Sequence, residues 1–245
     1  MWHWLNQHFL APKAFYASTS RLLPWLTIGF VLCFSYGLVA GLFLAPADYQ
    51  QGDGFRIMYV HVPSAFVSMA IYAVMAVSGL LTLVFRIKIA AMAMSASAKI
   101  GVWFTFLALF TGSIWGKPMW GTWWIWDARL TSMLILLFLY LGFIALQSTL
   151  PEAETRERAG AVLALVGVIN LPIIHYSVIW WNTLHQGPSI SRFAKPSIAP
   201  DMLYPLLAMI LAFFLFYAMI LLMRMRNQIL LREAKTLWVR EVLHA

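Results

Sequence analysis

WGKPMWGTWWIWDAR, from Trp115 to Arg129, separates two long apolar runs and holds five of the chain's twelve tryptophans, Trp115 to Trp126, within twelve residues. It is too polar and too broken by glycine to cross a bilayer. The flanking runs are not. The stretch therefore reads as the turn of a helical hairpin, held at a membrane surface.

The same rule extends outward. Runs free of Asp, Glu, Lys and Arg cover 22–47, 57–85, 100–116, 130–151, 159–191 and 202–223. A helical span of about 30 Å of hydrocarbon needs about 20 residues, with about 17 as a lower bound. The chain is 62% hydrophobic and 11% charged, with a mean hydropathy of +0.78. A soluble domain carries about a quarter charged residues. The expected fold is an all-α polytopic membrane protein with six spans, at about 22–45, 57–85, 99–116, 129–150, 159–181 and 202–223. It forms a single integral domain over 1–245.

Charge sets the expected orientation. The termini and the segments 86–99 and 152–158 carry twelve of the seventeen basic residues and all five Glu; the other face carries five basic residues and all four Asp. Lys and Arg collect on the cytoplasmic side, which puts both termini inside and the tryptophan loop outside, in the periplasm of a bacterium. The +8 net charge follows from this asymmetry and does not form a nucleic-acid patch. The scattered cations suit anionic lipid. The first run is too long for a signal-peptide core and reads as an uncleaved anchor. Cys33 is alone, excluding an internal disulfide and a paired-cysteine haem attachment site. No Walker A sequence is present, so the chain cannot power transport by itself.

Three histidines, His3, His8 and His244, fall near the termini. His175 lies about 9 Å deeper than Trp181 at 1.5 Å per residue, where an intramembrane histidine usually bonds helix to helix. His61, in RIMYVHVPSAF, and His185, in WWNTLHQGPS, reach the face that carries the tryptophan loop. Two imidazoles on opposite sides of haem complete its axial sites, but two unrelated interfacial histidines would read the same way.

The loop carries the same ambiguity. Were 120–127 helical, at about 100° per residue, Trp120, Trp123, Trp124 and Asp127 would share a stripe about 100° wide, flanked by Trp126. That stripe suits a planar ligand or the bilayer surface equally. Asp127 is also placed to N-cap the fourth span. Arg56 and Arg129 stand level with the loop and fit carboxylates through their guanidinium forks; as ordinary interfacial anchors they need no ligand. Lys117, Arg192 and Lys195 are weaker candidates.

WGTWWIWD, MYVHVPSA, WWNTLHQGPS and the six-span pattern together resemble the tryptophan-rich "WWD" haem-handling family of bacterial system I cytochrome c maturation, over essentially the whole chain. The resemblance implies a haem-binding subunit that presents haem (haem b, as transient cargo) at the periplasmic face of the inner membrane. It implies His61 and His185 as axial ligands to the haem iron. Trp115, Trp120, Trp123, Trp124, Trp126 and Asp127 become the porphyrin platform, and Arg56 and Arg129 the propionate partners. The implied partners are an ABC ATP-binding subunit with its membrane partner, a small single-span subunit and a periplasmic haem chaperone. No catalytic group of the chain's own is expected. The rival readings are a cytochrome b type redox protein, which wants histidine pairs in both leaflets, and a small-solute permease, which wants more polar residues at mid-membrane.

Overall fold

A computed structural model describes residues 11–181, 183–185 and 198–244. Helix α1 spans Pro12–Val39 and closes in a π-helical turn, Ala40–Leu44. A 3-10 turn, Asp53–Ile57, leads into α2, Met58–Phe85. The hairpin partners are α3, Lys88–Trp120, and α4, Ala128–Thr149. The fifth apolar run is two helices, α5 (Ala153–Gly167) and α6 (Asn170–Trp180). Helix α7 is Pro200–Arg232, and α8 is a short terminal helix, Leu237–His244. Six of these units are long and apolar enough to cross a membrane, as the sequence led us to expect of a multi-pass membrane protein.

The helix ends differ from the apolar runs for a simple reason. A helix need not stop where the hydrocarbon stops. Thus α3 starts at Lys88 and α7 continues to Arg232, well beyond the uncharged windows. The break in the fifth span has a local cause at Pro172. It lacks the N–H that would bond the Val168 carbonyl, and its ring crowds that carbonyl. The Leu171 N–H takes the Val168 oxygen at 3.0 Å instead. Just before the proline, Asn170 is buried and donates Nδ2 to the Ser132 carbonyl at 2.9 Å, tying α6 to α4.

Helix α2 is the core element, packing on α3, α5 and α7, while α1 leans chiefly on α7 at the edge. Tyr72 and Tyr140 meet edge to face at 5.2 Å, and Tyr140 donates its hydroxyl to the Ser68 carbonyl at 2.7 Å. Each satisfies its polar tip against backbone, as a buried tyrosine requires. This packing fixes α2 against α4, and the Tyr140 ring also lies against Gly101 of α3.

The tryptophan stretch is helical as far as Trp120 and again from Ala128, but not between them. Trp120 ends α3, and Gly121 takes φ 76° as a left-handed cap whose N–H bonds the Lys117 carbonyl. Residues 121–127 run without helix to Asp127, whose backbone is extended at φ −93°, ψ 170°. The stripe that a helix over 120–127 would give therefore does not form. A glycine that admits positive φ and an aspartate that caps the next helix stop the helix at both ends.

Candidate functional site

His61 sits near the start of α2 and faces α3. Its Nδ1 lies 3.0 Å from the Ala108 carbonyl and 3.1 Å from Thr111 Oγ1. The Thr111 hydroxyl gives its proton to the Leu107 carbonyl at 2.6 Å, so both neighbours of Nδ1 are acceptors. That places the proton on Nδ1 and leaves the Nε2 lone pair free. Gly112 makes room for the ring, since a Cβ there would stand 2.9 Å from His61 Cε1. Trp115 closes one side, edge to face at 5.6 Å, and anchors its indole N–H on Gln51 Oε1 at 2.9 Å.

His185 follows the same design with different parts. Its Nδ1 is 3.0 Å from Asp127 Oδ2, while Asp127 Oδ1 accepts from the Leu130 N–H at 2.8 Å. One carboxylate therefore caps α4 and orients the imidazole. An acceptor again assigns the proton to Nδ1 and frees Nε2. Trp120 lies against this ring at 4.7 Å, 66° from parallel. Burial holds the His185 pKa below the usual histidine value, against the pull of Asp127, and Arg129 adds to the lowering. The ring is neutral at physiological pH, the form that binds a metal. His61, His185 and Arg129 are within electrostatic range of one another, so the fold brings the three together.

Each tryptophan takes a distinct place. Trp115 backs His61 and Trp120 backs His185. Trp124 and Trp126 meet edge to face at 5.5 Å, and Trp123 carries the Lys117 ammonium 6.0 Å from its ring centre. Trp123 and Trp126 are exposed. The Trp124 indole N–H is buried without an acceptor among the described residues. Asp127 stands behind His185.

The two arginines part company. Arg129 donates Nε to Ser177 Oγ at 3.1 Å and Nη2 to the His175 carbonyl at 3.2 Å, which joins α4 to α6 beside the histidines. Arg56 donates Nη1 and Nη2 to the carbonyls of Gly41 and Ala45, both at 2.9 Å, and pairs with Asp53. Its fork fastens α2 to the end of α1. The His175 side chain is exposed and contacts Tyr176 at 4.8 Å, with no helix-to-helix hydrogen bond among the described residues. The bond expected there is absent because the ring points away from the bundle. His3, His8, Arg192 and Lys195 lie outside the described residues.

Sequence reasoning missed Ala108, Thr111 and Gly112. With Trp115 they recur at i, i+3, i+4 and i+7, one face of α3. That face is small and polar where it meets His61, a signal visible in the sequence.

The model of the family described as Heme exporter protein C matches residues 5–240. The chain belongs to that family. Among curated members, the Heme exporter protein C of Escherichia coli is 52% identical over 243 residues, covering 99% of this chain and 98% of its own. That of Haemophilus influenzae is 50% identical over 240 residues, covering 98% and 97%. That of Paracoccus denitrificans is 40% identical over 242 residues, covering 98% of each chain. The family match spans every element that builds the His61–His185 site.

Proposed function

We propose that this chain holds haem as cargo between His61 and His185 at the outer face of the bacterial inner membrane. It presents that haem to a periplasmic haem chaperone for c-type cytochrome biogenesis. One observation carries the reading. Both imidazoles have Nδ1 fixed on a protein acceptor and Nε2 without a partner among the described residues, the arrangement that orients metal-bound histidine and raises its basicity. Nothing in a pair of interfacial anchors calls for this.

The remaining residues fit the same cargo. The wall of Trp115, Trp120, Trp123, Trp124 and Trp126 offers flat apolar surface on which a porphyrin stacks. The unpaired Trp124 N–H is a donor that a buried site does not usually leave idle, and a propionate oxygen satisfies it. Arg129 supplies a positive charge near the histidines, with Arg56 as the second candidate at the edge. Asp127 serves as a positioning residue behind His185. Two axial imidazoles saturate the iron and leave no open position for oxygen, while the exposed Trp123 and Trp126 mark the open side. Handover requires at least one Fe–N bond to give way.

The names of the relatives support a place among other haem exporter subunits. We assign to that set an ABC ATP-binding subunit, its membrane partner and a small single-span subunit, since this chain has no ATPase motif. The test is the absorption spectrum of the full-length protein purified from haem-replete cells. A Soret band in the wild type that is lost in the His61→Ala/His185→Ala double variant is the expected result. A wild type without haem overturns the reading.

A further inference from the structure

At the end of the bundle away from the histidines, α3, α4 and α7 part around a polar cleft. Two adjoining cavities of about 230 and 300 Å³ share Ser95, Gln147 and Gln228 in their walls. Along α3, Ser95 lies about 30 Å from Trp115 at about 1.5 Å per residue, so the cleft is separate from the tryptophan site.

Its charge is unbalanced. Lys99, Arg156, Arg224 and Arg232 line the two cavities, with Glu157 the one carboxylate there among the described residues. Glu157 is taken by Arg232 at 3.0 Å, and Arg156 donates to the Leu150 carbonyl at 3.2 Å. Arg224 Nε is buried with no acceptor among the described residues. A buried guanidinium N–H without a partner is costly, and the cost is removed when an anion enters. Ser95 donates its hydroxyl to the Met92 carbonyl at 3.1 Å and pairs with Gln228 only loosely, at 3.4–3.5 Å, so the Gln228 amide retains donor capacity toward the cleft. The half-buried Ile144 on one side and the 79% exposed Leu231 on the other give the cleft an apolar rim, over the buried Phe143.

We propose that this cleft binds a phosphate group, supplied by the headgroup of an anionic phospholipid whose acyl chains lie along the apolar rim. Arginine forks match phosphate geometry. Twelve of the seventeen basic residues, these four included, fall in the segments at this end of the spans, as the attraction of an anionic leaflet requires. Inorganic phosphate shares the chemistry but not the rim.

The test is native mass spectrometry of the full chain in neutral detergent, offered phosphatidylglycerol or phosphatidylcholine with identical acyl chains. Phosphatidylglycerol is expected to be retained and phosphatidylcholine not. Arg224→Gln lowers that retention about tenfold, the worth of one charge-assisted hydrogen bond. Lys99→Gln, at an exposed position that does not threaten the fold, lowers it less. A parallel thermal melt with inorganic phosphate separates the sources, and no stabilisation is expected. Equal retention of both lipids overturns the proposal. So does unchanged phosphatidylglycerol retention in both variants, and so does stabilisation by inorganic phosphate equal to that by phosphatidylglycerol.

Discussion

Asp127 grips His185 Nδ1 with one carboxylate oxygen and the N-terminus of α4 with the other. The two bonds make separable demands. Asparagine caps a helix about as well as aspartate, but it replaces a carboxylate with an amide that can offer N–H instead of oxygen to the ring. Asp127→Asn is expected to leave the melting temperature nearly unchanged while lowering haem retention about 10- to 100-fold, the usual effect of losing a ligand's orienting partner. Asp127→Ala loses the cap as well, at about 1 kcal/mol. Haem titration followed at the Soret band, beside a thermal melt, separates the two. Wild-type retention in Asp127→Asn would show that the carboxylate is only a cap.

On the opposite side, Gly112 leaves His61 its space. Gly112→Ala puts a methyl 2.9 Å from Cε1, and the ring must rotate off the Ala108 carbonyl. We expect a folded protein with the haem spectrum shifted or lost. Thr111→Val removes one acceptor but leaves the carbonyl, so its effect is smaller. A Gly112→Ala variant that binds haem normally would show that His61 holds nothing.

These partners explain how much of the molecule was legible in advance. Six spans follow from apolar length alone, and the histidines from their common face. Helix ends were not legible, because α3 and α7 continue past the hydrocarbon. A helix over 120–127 was only a supposition, and Gly121 and Asp127 both argue against one. An N-cap needs an extended residue at 127, which a helix through 127 forbids. The fastening of Arg56 was hidden for another reason. Its acceptors are backbone carbonyls at the π-helical end of α1, and side-chain identity says nothing about which carbonyls a helix end leaves free. The same holds for the Ala108 carbonyl under His61.

Acid is expected to release haem through His185. Burial lowers its folded pKa below the usual 6.5. Between that lowered value and 6.5 the unfolded chain binds more protons than the folded one, so stability falls as pH drops through this window. In the folded protein the ring stays neutral down to that lowered value, and only beneath it does the proton compete with iron for Nε2. Soret absorbance across a pH series should therefore hold steady through the usual histidine value and decline only at lower pH. A decline centred at or above the usual histidine value contradicts a depressed His185.

Arg129 and Arg56 separate on a modified cargo. Arg129→Gln should weaken binding of haem but not of haem dimethyl ester, whose propionates carry no charge. Arg56→Gln should chiefly lower the melting temperature. It loses two hydrogen bonds from a charged donor, each worth about 1.5–3 kcal/mol at most, whereas its pair with the exposed Asp53 contributes little. If Arg129→Gln weakens both cargoes alike, its part is to join α4 to α6 and the propionates find their charge elsewhere.

Trp124 makes the sharpest demand because its two states move in opposite directions. Its buried N–H has no acceptor among the described residues, and leaving a donor unsatisfied costs about 1–3 kcal/mol. Trp124→Phe keeps an aromatic ring and removes the donor. In the haem-free protein the substitution is then neutral or stabilising, with the loss of packing area offsetting part of the gain. In the loaded protein it removes a hydrogen bond to a propionate, so haem affinity falls by up to about tenfold, one neutral donor's worth against a charged acceptor. Melting curves of the haem-free and loaded forms should therefore draw together in the variant. Equal destabilisation of both forms would mean that the indole N–H meets no cargo and that Trp124 serves only to pack against Trp126.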